Sequence, residues 1–152
     1  MNAVHLYRAS HWLYQKKIPL LPKILRNIIF LLFNSYIPPS AVIGKNTVFA
    51  YGAIGVVIHS NCSIGDGCVL GQGITIGAAE GYFSQQIQRS PTIGNNCYIA
   101  AGAKILGDIV IGNNCIIGAG AVVLTSIPDN SIVVGAPAKV IKSTPDDYLA
   151  IR

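Results

Sequence analysis

Aliphatic residues recur at every sixth position through most of this sequence. They are Ile58, Ile64, Leu70 and Ile76, then Ile93, Ile99, Ile105, Ile111, Ile117 and Val123. An amphipathic strand has a period of two residues and a helix a period of about 3.6, so neither produces this spacing. A six-residue period is typical of a parallel β-helix, in which each repeat forms one short strand with an inward aliphatic side chain. The spacing therefore predicts a stack of triangular coils.

Glycine directly follows the aliphatic residue in six repeats, at Gly65, Gly71, Gly77, Gly94, Gly112 and Gly118. We expect these glycines to lie at bends, where the backbone adopts angles that other residues disfavour. The step from Ile76 to Ile93 is 17 residues, which is 11 more than the repeat. We predict an 11-residue insertion, in a loop at about residues 78–92, that leaves the β-helix continuous.

Three of the four cysteines share one column when the coils are aligned. Three repeats form one coil, so residues 18 apart stack, and Cys68, Cys97 and Cys115 coincide once the insertion is set aside. Ala103 and Ala121 take the equivalent position on another face, which indicates a limit on size. We predict buried packing thiols, with no disulfide and no metal site. The absence of CxxC spacing and of a secretory signal favours a reducing cytoplasm.

The first forty residues lack the repeat and have helical patterns. We predict helices at His5–Gln15 and Pro22–Phe33, the second with proline near its first turn, where proline is favoured. The chain then divides into an N-terminal helical cap at 1–40, a β-helix domain at 41–142 and a polar tail at 143–152. The expected fold class is all-β.

Positive charge is concentrated at the N-terminal end. The net charge is +5, and six basic residues precede the first acidic one, Asp66; they are Arg8, Lys16, Lys17, Lys23, Arg26 and Lys45. A basic, apolar helical pair can lie on an anionic membrane surface, and it can also cap the end of a β-helix. The uncharged run Asn27–Phe33 is far shorter than the roughly 20 residues of a transmembrane helix. The β-helix has few basic residues and no interleaved aromatic patch, which argues against nucleic acid.

Several segments resemble a known family. Ile99–Gly107, Ile117–Val123 and Val134–Ile141 are similar to the hexapeptide-repeat acyltransferases, which have a left-handed parallel β-helix, and most closely to their serine acetyltransferase branch. Residues 6–14 and 54–59 are similar to short bacterial O-acetyltransferases of surface polysaccharides, including the colanic acid type.

The resemblance implies acetyl-CoA as co-substrate, a homotrimer, and an active site between adjacent subunits, with no metal. The pantetheine-contacting positions of the family match Gly77, Ala101 and Ala119. A strip without long side chains lets a thin pantetheine arm lie against the backbone. Lys139 is expected to meet the CoA phosphates as a point charge. The low content of charged residues, 11%, is typical of faces hidden in an oligomer.

The acceptor site departs from the serine acetyltransferases. Their acid and imidazole groups correspond here to Tyr36 and Pro38, and to the segment 50–52, none of which offers either function. Of the loop's Arg-His pair only Arg89 is retained, followed by Ser90. These departures argue against serine as the acceptor.

Acetyl transfer to a hydroxyl needs a base, and histidine suits neutral pH. His59 is the only histidine outside the predicted helices, and it stands at a corner where most repeats have Gly. It precedes Gly77 by 18 residues, so it should lie at the root of the inserted loop. A lone histidine is more often structural, but this position favours a general base for direct attack, without an acyl-enzyme.

The inserted loop is rich in amides, hydroxyls and aromatic rings, and we predict that Tyr82, Gln85 and Arg89 bind the acceptor. The leading hypothesis is an acetyl-CoA-dependent O-acetyltransferase acting on a sugar hydroxyl of a surface polysaccharide or its precursor. Its expected place is the cytoplasm or the inner face of the membrane. Serine O-acetyltransferase is the alternative, and a non-catalytic β-helix scaffold is a third reading. A zinc enzyme needs a cluster of imidazoles, which one core histidine does not supply.

Overall fold

The computed structural model describes residues 2–78 and 89–151. It begins with two helices of 13 residues each, α1 at Ala3–Gln15 and α2 at Leu21–Phe33. The side chain of Asn2 caps α1 by accepting a hydrogen bond from the Val4 N–H at 3.0 Å, and proline stands in the first turn of α2. Because these helices pack on the β-helix, the expected all-β class needs correction.

Fourteen short strands follow in the described ranges. They are β1 Val42–Ile43, β2 Val48–Phe49, β3 Val57–Ile58, β4 Ser63–Ile64, β5 Val69–Leu70, β6 Thr75–Gly77, β7 Thr92–Ile93, β8 Tyr98–Ile99, β9 Lys104–Leu106, β10 Val110–Ile111, β11 Ile116–Ile117, β12 Val122–Val123, β13 Ser131–Gly135 and β14 Ala138–Ser143.

The strands form three sheets, one for each face of a triangular coil. Their orders are β1-β4-β7-β10, β3-β6-β9-β12 and β2-β5-β8-β11-β13-β14. The pairs are parallel except for the terminal hairpin β13-β14. Ile64 pairs with Ile93 across the inserted loop in the same in-phase register that joins Ile105 to Val123. The parallel β-helix and its 11-residue insertion are therefore confirmed.

The cysteine column lies inside the β-helix, as predicted. Cys68, Cys97 and Cys115 are fully buried, and all four thiols are free. The backbone N–H of Cys97 lies 3.4 Å from the sulfur of Cys68 on the coil below. Cys62 is buried on a neighbouring face, and burial raises the pKa of its thiol to about 12. These thiols act as small packing groups.

The glycines that follow the aliphatic residues have a different role from the predicted one. None of the six has a positive φ. Instead, successive coils approach so closely there that a Cβ added to Gly65 would lie 2.6 Å from the carbonyl of Gly94. Positive φ occurs two residues further on, in a column with φ between 55° and 65° made of Asn46, Gly67, Asn96, Asn114 and Asn130. The prediction of bend glycines was therefore wrong in its reason, since close backbone contact selects them.

The helices cover the first coil, and the C-terminal segment lies along one corner. Tyr7 donates its hydroxyl to the Ala41 carbonyl at 2.6 Å, and Asn2 donates to the carbonyl of Phe49 at 3.0 Å. At the other end, the Ala150 N–H donates to the side chain of Asn96 at 2.7 Å. In the described part of the chain, neither helix is long and apolar enough to cross a membrane.

Candidate active site

His59 lies at the corner that follows the β3-β6-β9-β12 sheet. Its backbone N–H donates to the Ile76 carbonyl at 2.8 Å, and Ile58 pairs with Ile76, so Gly77 is its neighbour on the next coil. The ring is half-buried. Since the inserted loop begins just after Gly77, the imidazole lies at the root of that loop.

A hydrogen bond defines the tautomer of the His59 ring. The backbone N–H of Asn61 donates to Nδ1 at 3.2 Å, so the neutral ring carries its proton on Nε2. A general base needs an unprotonated nitrogen, and tautomer exchange through water supplies one at Nε2. That exchange loses one hydrogen bond, which costs about 1 kcal/mol. The contact therefore modulates the basicity of Nε2 without abolishing it.

Three polar residues join His59 at this corner. Arg89 forms a 3.1 Å ion pair with Asp108, and both side chains are exposed. The hydroxyl of Ser90 is buried and has no hydrogen-bond partner among the residues that the structure describes. Gly107, next to Asp108, donates its N–H to the Gly77 carbonyl at 3.1 Å, which ties the two coils together. The predicted acceptor residues Tyr82 and Gln85 lie outside the described residues.

Asp108 was missed by sequence reasoning. It follows Ser90 by 18 residues, so the stacking rule that located His59 also located Asp108 beside the end of the loop. The rule was applied to one histidine and not to the acidic residues.

A second corner carries the predicted pantetheine strip. Ala101 and Ala119 stack there, and the Gly120 N–H donates to the Ala101 carbonyl at 2.9 Å. Lys139 pairs with Val134 at the same corner, one strand above Gly118. Gly77 is not part of this strip, because it lies at the opposite end of β6 with His59. Between the two corners, Lys104 donates its ammonium to the carbonyl of Gly73 at 2.9 Å.

The positions that depart from the family pattern lie in the first coil. Tyr36 pairs with Val57, so Pro38 lies on the coil below His59. The segment Ala50–Ala53 forms a 3-10 turn at a different corner. Within residues 2–78 and 89–151, no group of three or more His, Cys, Asp or Glu is placed to hold a metal ion.

The coils match a known repeat family. The family model described as bacterial transferase hexapeptide (six repeats) matches residues 90–125. The three parallel sheets and the in-phase aliphatic ladder extend the same repeat over most of the chain. The fold and its repeat thus define the class: a hexapeptide-repeat β-helix of the bacterial transferase type.

Within this class, the chain is related to the serine acetyltransferases. That of Synechococcus elongatus is 42% identical over 129 residues, which are 85% of this chain and 51% of that protein. A solved serine acetyltransferase in complex with cysteine superposes with a TM-score of 0.88 at 32% identity, over 98% of this chain and 56% of that one. The enzyme of Brucella abortus in complex with coenzyme A gives 0.85 at 34% identity, over 94% and 56%. The predicted left-handed β-helix is supported by these neighbours, and the chain spans about half the length of the relatives it matches.

The prediction of a sugar acceptor was wrong. The relatives described above are serine acetyltransferases, in sequence and in structure, and a closeness to polysaccharide O-acetyltransferases is not supported. The prediction depended on acid and imidazole groups missing from matched positions. The structure places Asp108 and Arg89 beside His59, so this corner does carry an acid, a base and a cation.

Proposed function

We propose that the chain is an acetyl-CoA-dependent O-acetyltransferase with L-serine as its acceptor. The observation that carries the proposal is the 42% identity to a serine acetyltransferase over 85% of the chain. A structural neighbour in complex with coenzyme A supports the donor. The free, buried thiols fit a reducing cytoplasm as its place of action.

In the proposed reaction His59 removes the proton of the serine hydroxyl. The hydroxyl oxygen then bonds to the acetyl carbon of the thioester, and backbone N–H groups stabilise the oxyanion. The carbon–sulfur bond breaks, and the proton held by the imidazole passes to the CoA thiolate. Each step uses direct attack, because no cysteine has an activating base beside it among the described residues.

The two corners of one chain are separated by the width of a sheet, which favours assembly of the site between chains. We propose a homotrimer in which the His59 corner of one protomer faces the Ala101–Ala119 strip of its neighbour. Lys139 would then hold the CoA phosphates at the upper end of that strip, and Gly77 leaves room for the thioester beside the imidazole.

The ion pair at the loop end suits a zwitterionic acceptor. In the proposal, Arg89 binds the serine carboxylate through its fork of N–H donors, and Asp108 binds the ammonium. An exposed ion pair is worth only about 0–1 kcal/mol, so the substrate can replace it at small cost. Tyr82 and Gln85 remain predicted acceptor contacts.

The direct test is release of CoA from acetyl-CoA by the purified chain. We expect release with L-serine well above background hydrolysis, formation of O-acetylserine by mass spectrometry, and little turnover of N-acetylated or decarboxylated serine analogues, which lack one charge. Turnover no faster with L-serine than without an acceptor would contradict the proposal.

Ala101 offers a test of the donor strip. We expect Ala101→Leu to raise the KM for acetyl-CoA at least about tenfold, because a long side chain would occupy the space for the pantetheine arm. Steady-state kinetics at saturating serine measures the change.

Gln72 is the matched control for Ala101. It occupies the same column one coil below, where the Gly102 N–H donates to its carbonyl at 2.8 Å. Gln72→Leu introduces the same residue without adding length, so its KM should match that of the unaltered chain. Equal KM values for the two variants would remove the strip from the proposal.

A further inference from the structure

Helix α2 has two apolar faces. One face packs inward through its three buried residues, Pro22, Ile29 and Phe33. The other is a continuous apolar stripe, since its positions fall on one side of a helix of 3.6 residues per turn. The stripe consists of Leu21, Ile24, Ile28, Leu31 and Leu32.

The stripe faces solvent in the described chain. Ile24 is 50% exposed and Leu31 is 79% exposed. Contiguous exposed apolar surface of this kind marks a site of protein or membrane contact. Nothing in the requirements of the β-helix core explains it, because the inward face of α2 already meets α1 and the first coil.

The surroundings of the stripe are cationic. Six basic residues and no acidic residue precede Asp66 in the sequence. Lys23 and Arg26 lie on the same helix as the stripe, and Lys16 and Lys17 lie on the connector that leads into it.

A cavity of about 740 Å³ opens between the helices and the first coil. Lys17, Lys23 and Arg26 line it, together with Tyr14 and Tyr36, and its lining includes no acidic residue; Leu20, which precedes the stripe, is also at its wall. Three like charges around one space favour an anionic occupant. The cavity and the stripe therefore meet at the start of α2.

We propose that the N-terminal helices form a docking surface for an anionic lipid bilayer. The stripe enters the boundary between headgroups and acyl chains, and the cations of the cavity hold headgroup phosphates. Trp12 and Tyr14 are exposed on α1, and aromatic residues of this type favour the membrane interface.

Charge separates this occupant from a second copy of the chain. Pairing two stripes would bring together two sets of cations with no acidic residue before Asp66 to compensate them. An anionic bilayer offers the opposite charge together with the apolar layer that the stripe needs. The proposal goes beyond acetyl transfer, and its test needs neither acetyl-CoA nor turnover.

The test is sedimentation of the full chain with vesicles. We expect binding to phosphatidylcholine vesicles that contain about 30 mol% phosphatidylglycerol, on the order of tenfold tighter than to pure phosphatidylcholine, and weakened by salt. The double variant Ile24→Glu/Leu31→Glu should lose at least about tenfold in partitioning. Lys17→Glu/Lys23→Glu should lose the preference for anionic vesicles.

Two control variants make the same chemical changes far from α2. Leu149→Glu alters an exposed leucine of the C-terminal segment, and Lys142→Glu alters an exposed cation of β14; both should bind as the unaltered chain does. Circular dichroism and light scattering establish that every variant keeps its fold and assembly. Failure of the unaltered chain to bind anionic vesicles would overturn the proposal. So would a stripe variant that changes the oligomeric state and leaves vesicle binding intact, because a second copy would then cover the stripe.

Discussion

The substitution His59→Ala is expected to lower kcat for acetyl transfer to L-serine by at least about 100-fold, because a positioned general base contributes roughly 10²–10⁴-fold. The KM for acetyl-CoA should stay within about twofold, since the donor strip lies at the other corner and the base acts only as the hydroxyl attacks. Removal of the imidazole leaves the backbone hydrogen bond to Ile76 in place. Steady-state kinetics with both substrates varied measures the two effects.

The exposed imidazole of His5 supplies the matched control. His5→Ala removes the same group from α1 and should keep full activity. A structural role for His59 is separated from a chemical one by adding free imidazole to His59→Ala, which should restore part of kcat by replacing the base. A variant that retains full kcat, or a loss matched by a lower melting temperature and insensitive to imidazole, would contradict the assignment.

The stacking rule accounts for most of what the sequence predicted correctly. One spacing fixed the three faces, the register across the inserted loop, the buried cysteines and the proximity of His59 to Gly77. All of these depend on a single physical requirement, which is that aliphatic side chains of successive coils meet in the core. A repeated requirement leaves the same trace in every coil, so it can be found in one sequence.

Features that occur once were not predictable in the same way. The 3-10 turn at Ala50–Ala53 lengthens the first coil, and no other coil in the described ranges repeats it. The role of Gly65 was misjudged because a sequence does not distinguish a glycine chosen for its φ from one chosen for close backbone contact. Asparagine in the column of Gly67 was the available indication, since asparagine tolerates positive φ and marks where the bend lies.

The acceptor was misjudged for a related reason. A group missing from a matched position was taken as a group missing from the site. The corner where His59 lies also receives Arg89 from the end of the loop and Asp108 from the next coil. A site assembled from several coils can obtain a charge from any of them, so the loss of one position says little about the substrate.

The substitution Gly65→Ala is expected to destabilise the fold by about 3 kcal/mol or more, the upper end of the cost of forcing atoms into packed space. The new Cβ would lie 2.6 Å from the Gly94 carbonyl and even closer to the Asn95 side chain. The coil cannot shift away, because the Gly65 N–H donates to the Ile93 carbonyl at 2.9 Å. For a domain of this size, this corresponds to a melting temperature lower by about 6–12 °C.

A matched control lies two residues away at Gly67, where the cause of strain is different. Gly67 has a φ of +65°, and a Cβ there would meet nothing within 4 Å, so Gly67→Ala should cost only about 1–2 kcal/mol of conformational strain. Gly67→Asn should cost less still, because Asn96 and Asn114 adopt φ of 55° and 56° in the same column. Thermal and urea unfolding should therefore rank Gly67→Asn as the most stable of the three variants, Gly67→Ala as the next and Gly65→Ala as the least stable. If Gly65→Ala proved as stable as Gly67→Ala, the coils would be farther apart than the structure gives, and close backbone contact would not be what selects these glycines.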